Sequence, residues 1–339
     1  MKKKINIAII GLGYWGPNLL RNFLKNKKCN VKALCDTNKS LLKKYKKTHP
    51  ELNLFTDYKK LINSNEIDAC VIATPVMTHY KIASYALKNF KHVFVEKPLA
   101  ESSLNCKKLI SRAKKHDLTL FVDHTFLYTD AVRVLRNYSL KDNFGDKLYY
   151  DSTRINLGLI QNDINVLWDL AVHDLSILNY LYKDNPISVS AVGHKHFSSK
   201  PITSAFMTLK YKSNFIAHIN VSWLSPVKIR QTILAGSKKM ILYNDLEVRD
   251  KIVLHNKGVN VIKHENSSKN LVKYKIGGTS TPKLKNKEAL SMAVEDFILS
   301  IAKNKHPISN GNIALKIVKI LESADRSMEQ NGKSIMINL

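Results

Sequence analysis

The chain has 339 residues, with 54 Lys and Arg against 27 Asp and Glu for a formal charge of +27, and it is 44% hydrophobic and 24% charged. That is globular composition and excludes a disordered polyelectrolyte; a chain of this length buries roughly three-quarters of its surface and has core for about two domains. No apolar run approaches the ~18 residues of a membrane helix, and no h-region follows Met1-Lys2-Lys3-Lys4, so the chain is expected in the cytoplasm.

The first 125 residues repeat one pattern: a short run rich in Val and Ile, a turn, then a helical stretch. Strands are predicted at Ile5–Ile10, Val31–Cys35, Ala69–Ala73, His92–Val95 and Thr119–Val122. They are apolar on both faces, as strands of a buried parallel sheet must be. Helices are predicted between them, over Tyr14–Lys27, Asn38–His49, Thr78–Asn89 and Ser102–His116. Alternation at these lengths makes residues 1–124 a doubly wound α/β Rossmann domain.

The first turn reads Gly11-Leu12-Gly13-Tyr14-Trp15-Gly16, directly after a strand and at the start of a helix. That context makes the glycine motif a dinucleotide fingerprint: Gly13 lets the backbone approach a pyrophosphate, and Gly16 lets the helix pack on the strand. Pro17 suits an early helical position, where a missing N–H costs nothing. Asp36 follows Gly16 by twenty residues and ends the second strand, where an acid bonds the adenosine ribose hydroxyls. Its carboxylate favours NAD over NADP by repelling a 2′-phosphate, partly offset by Lys39 and Lys43. Gly11, Gly13, Tyr14, Trp15, Gly16 and Asp36 are the expected cofactor-binding set at this end.

The later strands end in Thr74-Pro75 and Glu96-Lys97-Pro98, where ligands of such sheets bind. Lys97 leaves an apolar strand with Pro98 holding it extended, so it is placed either to hold a substrate hydroxyl and favour its alkoxide, or to lie on the surface paired with Glu96.

After residue 125 the pattern changes. A helix is predicted over Asn165–Tyr182, then strands at Ile187–Phe197, Ser204–Tyr211, Phe215–Leu224 and Ile229–Ala235, and helices near Glu288–Lys303 and Asn312–Met328. Alternation such as His218-Ile219-Asn220-Val221-Ser222-Trp223 indicates a mostly antiparallel sheet with one covered face, so residues 125–339 are expected to form an α+β domain. Asp169 and His173 are four apart on an almost wholly apolar helix and share a face. An acid orienting an imidazole is the arrangement of a general acid–base, and equally of a core His satisfied by a neighbour.

The basic charge does not indicate nucleic acid. Arg stands at only eight positions, and base and phosphate readout favours its planar fork. The lysines lie in scattered pairs on polar helix faces, although their field suits an anionic small substrate. Cys29, Cys35, Cys70 and Cys106 make no C-x-x-C, and the twelve His make no metal-ligand spacing. Neither a metal nor a disulfide is expected.

The order GLGYWG at 11–16, Cys35-Asp36, ATP at 73–75, EKP at 96–98 and D-x-x-x-H at 169–173 resembles the Gfo/Idh/MocA oxidoreductases over essentially the whole chain. The resemblance implies hydride transfer between a sugar-like carbinol carbon and a nicotinamide. It implies that Lys97 contacts the reacting hydroxyl, His173 is the catalytic acid–base and Asp169 its partner. It also implies that Thr74, Pro75, His79 and Glu96 line the cofactor, with His124 near the nicotinamide. Many members lead into the D-x-x-x-H helix through glycines, whereas here Asn162-Asp163-Ile164-Asn165-Val166 stands.

The run Asp151–Gly158 with Trp168-Asp169-Leu170 resembles the subgroup serving nucleotide-sugar pathways. That implies an NAD-dependent dehydrogenase acting at C3 of a UDP-N-acetylhexosamine or its uronate. Arg154 and Arg230 are then candidates for diphosphate or carboxylate contacts, or else members of structural ion pairs. Lys97, Arg154, Asn156, Trp168, Asp169, His173 and Arg230 make the expected substrate set. Competing expectations are a dehydrogenase or ketoreductase of free cyclitols or deoxysugars, a glycosidase with tightly held NAD, and a non-catalytic NAD sensor. An open sheet face is usually buried between subunits, which predicts a homodimer or homotetramer.

Overall fold

The computed structural model describes residues 4–262, 271–285 and 287–339. In chain order it begins with β1 (Ile5–Ile10), α1 (Gly16–Lys25), β2 (Cys29–Cys35), α2 (Lys39–Thr48), β3 (Asn53–Phe55), α3 (Tyr58–Ile62), β4 (Ala69–Ile72), α4 (Val76–Lys88), β5 (His92–Glu96), α5 (Ser103–Lys115) and β6 (Leu120–Asp123). These strands form one six-stranded sheet in the order β3-β2-β1-β4-β5-β6, parallel throughout. The chain winds from β1 out to β3, crosses back to β4, and winds out again to β6, so the switch in direction lies between β1 and β4.

The pattern places these elements for local reasons. β4 is buried at all four positions, as a central parallel strand requires. Asn38 Oδ1 accepts the Ser40 and Leu41 N–H groups to cap α2, and the Ser102 side chain caps α5. The sequence pattern passes over β3 and α3, because an edge strand of three residues and a helix of five carry too few positions to show a period.

The chain continues with α6 (Asp130–Ser139), β7 (Lys147–Ile155), α7 (Val172–Leu181), β8 (Pro186–His194), β9 (Ser204–Tyr211), β10 (Ile216–Ser222), β11 (Ile229–Gly236), β12 (Met240–Asn244), β13 (Ile252–His255), β14 (Gly258–Ile262), β15 (Leu271–Lys275), β16 (Thr279–Ser280), α8 (Ala289–Lys303), α9 (Gly311–Glu329) and β17 (Ile335–Met336). A nine-stranded sheet runs β16-β13-β12-β11-β7-β10-β9-β8-β17, antiparallel except for β7 with β10; β14 and β15 form a separate hairpin. The helix predicted over Asn165–Tyr182 is continuous over 166–181, with Leu167–Ala171 wound as a π-turn that runs straight into α7. Asn165 starts it, its Oδ1 accepting from Leu167 and Trp168 N–H.

The chain divides into two compact units, residues up to 128 with 287–318, and 129–286 with 319–339. A single cut after residue 124 is what the change of pattern suggests; the described chain instead returns to the first unit. The reason is aromatic packing. Phe297 of α8 meets Phe94 edge-on at 5.5 Å, and Phe94 stacks on Phe121 at 4.5 Å and meets Phe23 of α1 at 5.6 Å. Tyr128 also donates to Asp296 at 2.7 Å. Phe297→Ala is expected to destabilise the protein by about 3–5 kcal/mol, read as a lower denaturant midpoint at unchanged slope.

Candidate active site

The glycine turn is built by close approaches. Gly11 has φ +94°, and a Cβ there would stand 2.5 Å from the Ala73 carbonyl oxygen; one on Gly16 would stand 2.3 Å from that of Gly11. Only glycine fits either place. A Cβ on Gly13, by contrast, meets nothing within 4 Å, so that backbone faces open space. No side chain caps α1 and its first turn holds no acid, which leaves its N-terminal N–H groups for an anion. Asp36 binds the turn itself: Oδ2 accepts Leu12 N–H and Oδ1 accepts Asn38 N–H, both at 2.8 Å. Tyr14 is exposed.

Thr74 and Pro75 follow β4 and lead into α4. The resemblance implies that His79 lines the cofactor; the structure gives its ring a different task. His79 is buried, with Nδ1 2.8 Å from the Pro98 carbonyl and Nε2 2.8 Å from the Thr74 carbonyl. It holds together the two turns that leave β4 and β5. Burial lowers its pKa and the two carbonyls oppose that, since a neutral ring can donate to only one of them.

Glu96 and Lys97 end β5, and Asp123 and His124 end β6, with Glu96 the register partner of Asp123. The Lys97–Pro98 peptide is cis. His124 is buried with neither ring nitrogen hydrogen-bonded, and desolvation takes its pKa down to about 3, so the ring is neutral. Glu96 Oε1 and Asp123 Oδ2 are buried without a donor. Burial and the charge of Asp123 hold Glu96 well above the carboxylate range, and burial raises Asp123 to about 6. Asp123 is not among the residues expected to be functional; its one signal in the sequence is an acid that closes an apolar strand before a His. Open space at Gly13, an uncapped helix start and orphaned polar atoms at the β5 and β6 ends all fit a bound dinucleotide.

The second unit holds the remaining candidates. Asp169 lies in the π-turn and His173 in the first turn of α7, half-buried. Trp223 Nε1 donates to Asp169 Oδ2 at 3.0 Å, a contact that the sequence does not signal. Single π-turns inside helices are frequent at functional sites. Three of the expected substrate contacts are committed elsewhere. Trp168 is buried and donates to Asp325 Oδ2 at 2.7 Å. Arg154 is buried and forks onto Asp174, Nε to Oδ2 at 2.8 Å and Nη2 to Oδ1 at 3.0 Å. Arg230, its register partner on β11, pairs with Asp245 at 3.4 Å. The Arg154 fork is wholly buried, whereas Arg230 keeps a buried Nε without a hydrogen-bond partner. Asn156, just after β7, is half-buried.

Two family models match the chain. The model of the oxidoreductase family's NAD-binding Rossmann fold covers residues 5–124, and the GFO/IDH/MocA C-terminal domain covers 153–242. The chain belongs to the Gfo/Idh/MocA oxidoreductase family. Residues 5–124 are therefore an NAD(P)-binding Rossmann domain. An uncharacterised oxidoreductase of Bacillus subtilis is 24% identical over 66% of this chain and 68% of its own. The UDP-N-acetylglucosamine 3-dehydrogenase of Acidithiobacillus ferrooxidans is 32% identical over 42% of this chain and 45% of its own. The solved structure of that dehydrogenase matches with a TM-score of 0.82 at 20% identity, over 98% of this chain and 100% of its own. A structure described as GenD2 from gentamicin A biosynthesis in complex with NAD matches with a TM-score of 0.84 at 16% identity, over 100% of this chain and 98% of its own. At such identities the structural likeness is one of fold.

Gly13→Ala is expected to leave unfolding free energy within about 0.5 kcal/mol and to weaken NADH binding about tenfold or more, checked by thermal melts beside fluorescence titration.

Proposed function

We propose that this protein is an NAD-dependent dehydrogenase oxidising a sugar carbinol, at C3 of a UDP-N-acetylhexosamine or its uronate, to supply a 3-keto sugar for a later amination. The observation that carries this reading is the row of polar groups at the carboxyl ends of β1, β2, β4, β5 and β6. The likeness to a UDP-N-acetylglucosamine 3-dehydrogenase over 42% of the chain supports the substrate. Gly11, Gly13, Tyr14, Trp15, Gly16 and Asp36 hold the phosphate and adenosine half of the cofactor, and the Asp36 carboxylate favours NAD. Thr74, Pro75, Glu96, Lys97 and His124 line the other half, with His79 keeping two of those turns in place. Bound NAD supplies the hydride acceptor. Lys97 donates a hydrogen bond to the substrate hydroxyl oxygen and favours its alkoxide, and His173, oriented by Asp169, takes the hydroxyl proton.

One observation favours a second reading, a dehydrogenase of free cyclitols or deoxysugars. Arg154 and Arg230 are both carboxylate-paired, which removes two of the cations that a diphosphate would meet. The test is NADH formation from NAD or NADP with a panel of UDP-sugars, free cyclitols and deoxysugars. NADH from one UDP-sugar is expected, falling by about 10²–10⁴ in Lys97→Ala and His173→Ala. Turnover of free cyclitols alone selects the second reading. NADH binding with no turnover, indifferent to both substitutions, leaves a sensor.

One face of the nine-stranded sheet is part-exposed among the described residues. Phe206, Asn220, Thr153 and Gln231 stand in one row across it, and Val192, Phe206 and Ile216 are exposed. We assign this face to contact between subunits; light scattering is expected to give a dimer or tetramer, and a monomer would refute it.

A further inference from the structure

The roles above leave the pair formed by Glu96 and Asp123 unused. The two are register partners on adjacent parallel strands, so their side chains stand on the same face and within hydrogen-bond reach of each other, with Asp123 only 1% exposed. Glu96 Oε1 and Asp123 Oδ2 are both buried without a donor. Two carboxyl groups facing each other leave this pattern until a proton lies between them. Out of water, two carboxylates so close cannot both be ionised.

The charged and titratable groups around the pair are few. Thr125 Oγ1 donates to Asp123 Oδ1 at 2.8 Å, and the Trp15 side chain of the glycine turn favours the ionised form of Asp123. Lys97 adjoins Glu96 and acts on both acids, while the neighbouring His124 ring is neutral. The Tyr128 hydroxyl, beyond β6, faces Asp296 of α8. The carboxyls therefore answer chiefly to each other and to Lys97.

We propose that Glu96 and Asp123 share one proton and act as a single group of charge −1, which balances Lys97 and biases the adjoining ring site towards the oxidised, cationic nicotinamide. This rests on the dinucleotide reading above. The oxidised ring carries a positive charge and the reduced ring none, so a negative neighbour holds NAD⁺ relative to NADH. Burial puts the first ionisation of the pair near pH 6, the value for Asp123, while Glu96 is held well above the carboxylate range. Above that pH the pair is −1; below it the pair is neutral. Asp123 and Glu96 are in this sense positioning residues that set the charge of the site.

The test uses the full chain. Infrared spectra in neutral D₂O are expected to show the carbonyl band of a buried protonated carboxyl, lost in Glu96→Gln. Titration of tryptophan fluorescence with NAD⁺ and NADH is expected to show NAD⁺ affinity falling relative to NADH by about tenfold as pH drops through about 6, the order of effect for neutralising a unit charge beside a cationic ring. In Glu96→Gln the midpoint of that change moves. An absent band in the wild-type protein overturns the shared proton. A ratio independent of pH, or a midpoint unmoved in Glu96→Gln, overturns its role. If that variant does not fold, the wild-type band and ratio decide. Failure to bind NADH at all would count against the dinucleotide reading, while the band still judges the pair by itself.

Discussion

Parallel strand pairing is the constraint on which the first unit depends. Neighbouring parallel strands cannot be joined by a tight hairpin, so each connection crosses a face of the sheet, usually as a helix, and all carboxyl ends are left on one side. β1, β2, β4, β5 and β6 therefore deliver Gly11, Asp36, Thr74, Glu96 and Asp123 to a single edge. Close approach then fixes the detail. Gly11 and Gly16 allow the start of α1 to sit against the end of β1, and Asp36 secures the turn through Leu12 N–H. His79 does the same for the turns after β4 and β5.

The chain treats buried charge in two ways. In the second unit, Arg154 and Asp174 are both buried and satisfied by a bidentate pair, with Ser152 adding a hydrogen bond to Asp174 at 2.8 Å. A pair of that kind orders the covered face of the sheet against α7 and leaves little free for a ligand. In the first unit, Glu96, Asp123 and His124 are buried with atoms left unpartnered. Buried polar groups without partners cost stability, and such departures concentrate at functional sites. The contrast separates a satisfied ionic cluster from a strand edge whose buried polar atoms are left over, although both are rich in titratable groups.

Much of the first unit was legible because its signals are local and periodic. Apolar runs about 25 residues apart, a glycine turn at the first strand end and an acid at the second need no distant contact to be read. The aromatic cluster was not legible, because Phe23, Phe94, Phe121 and Phe297 come from four separated segments. Nor were the fates of Arg154, Trp168 and Arg230. An arginine in a strand reads the same whether a phosphate or Asp174 faces it, and only the packing of α7 on β7 chooses.

By itself, the sequence determined the alternation of strand and helix, the dinucleotide fingerprint and the positions of Lys97, Asp169 and His173, since each follows from spacing along one segment. Only the tertiary structure decided which polar groups are consumed by the fold and which are left over. It tied His79 to two carbonyls and Trp168 to Asp325, brought α8 back to the first unit, and set Glu96 beside Asp123. The physical reason is that burial and partnership are properties of neighbours in space. Strand register and helix packing create those neighbours, and no local period encodes them.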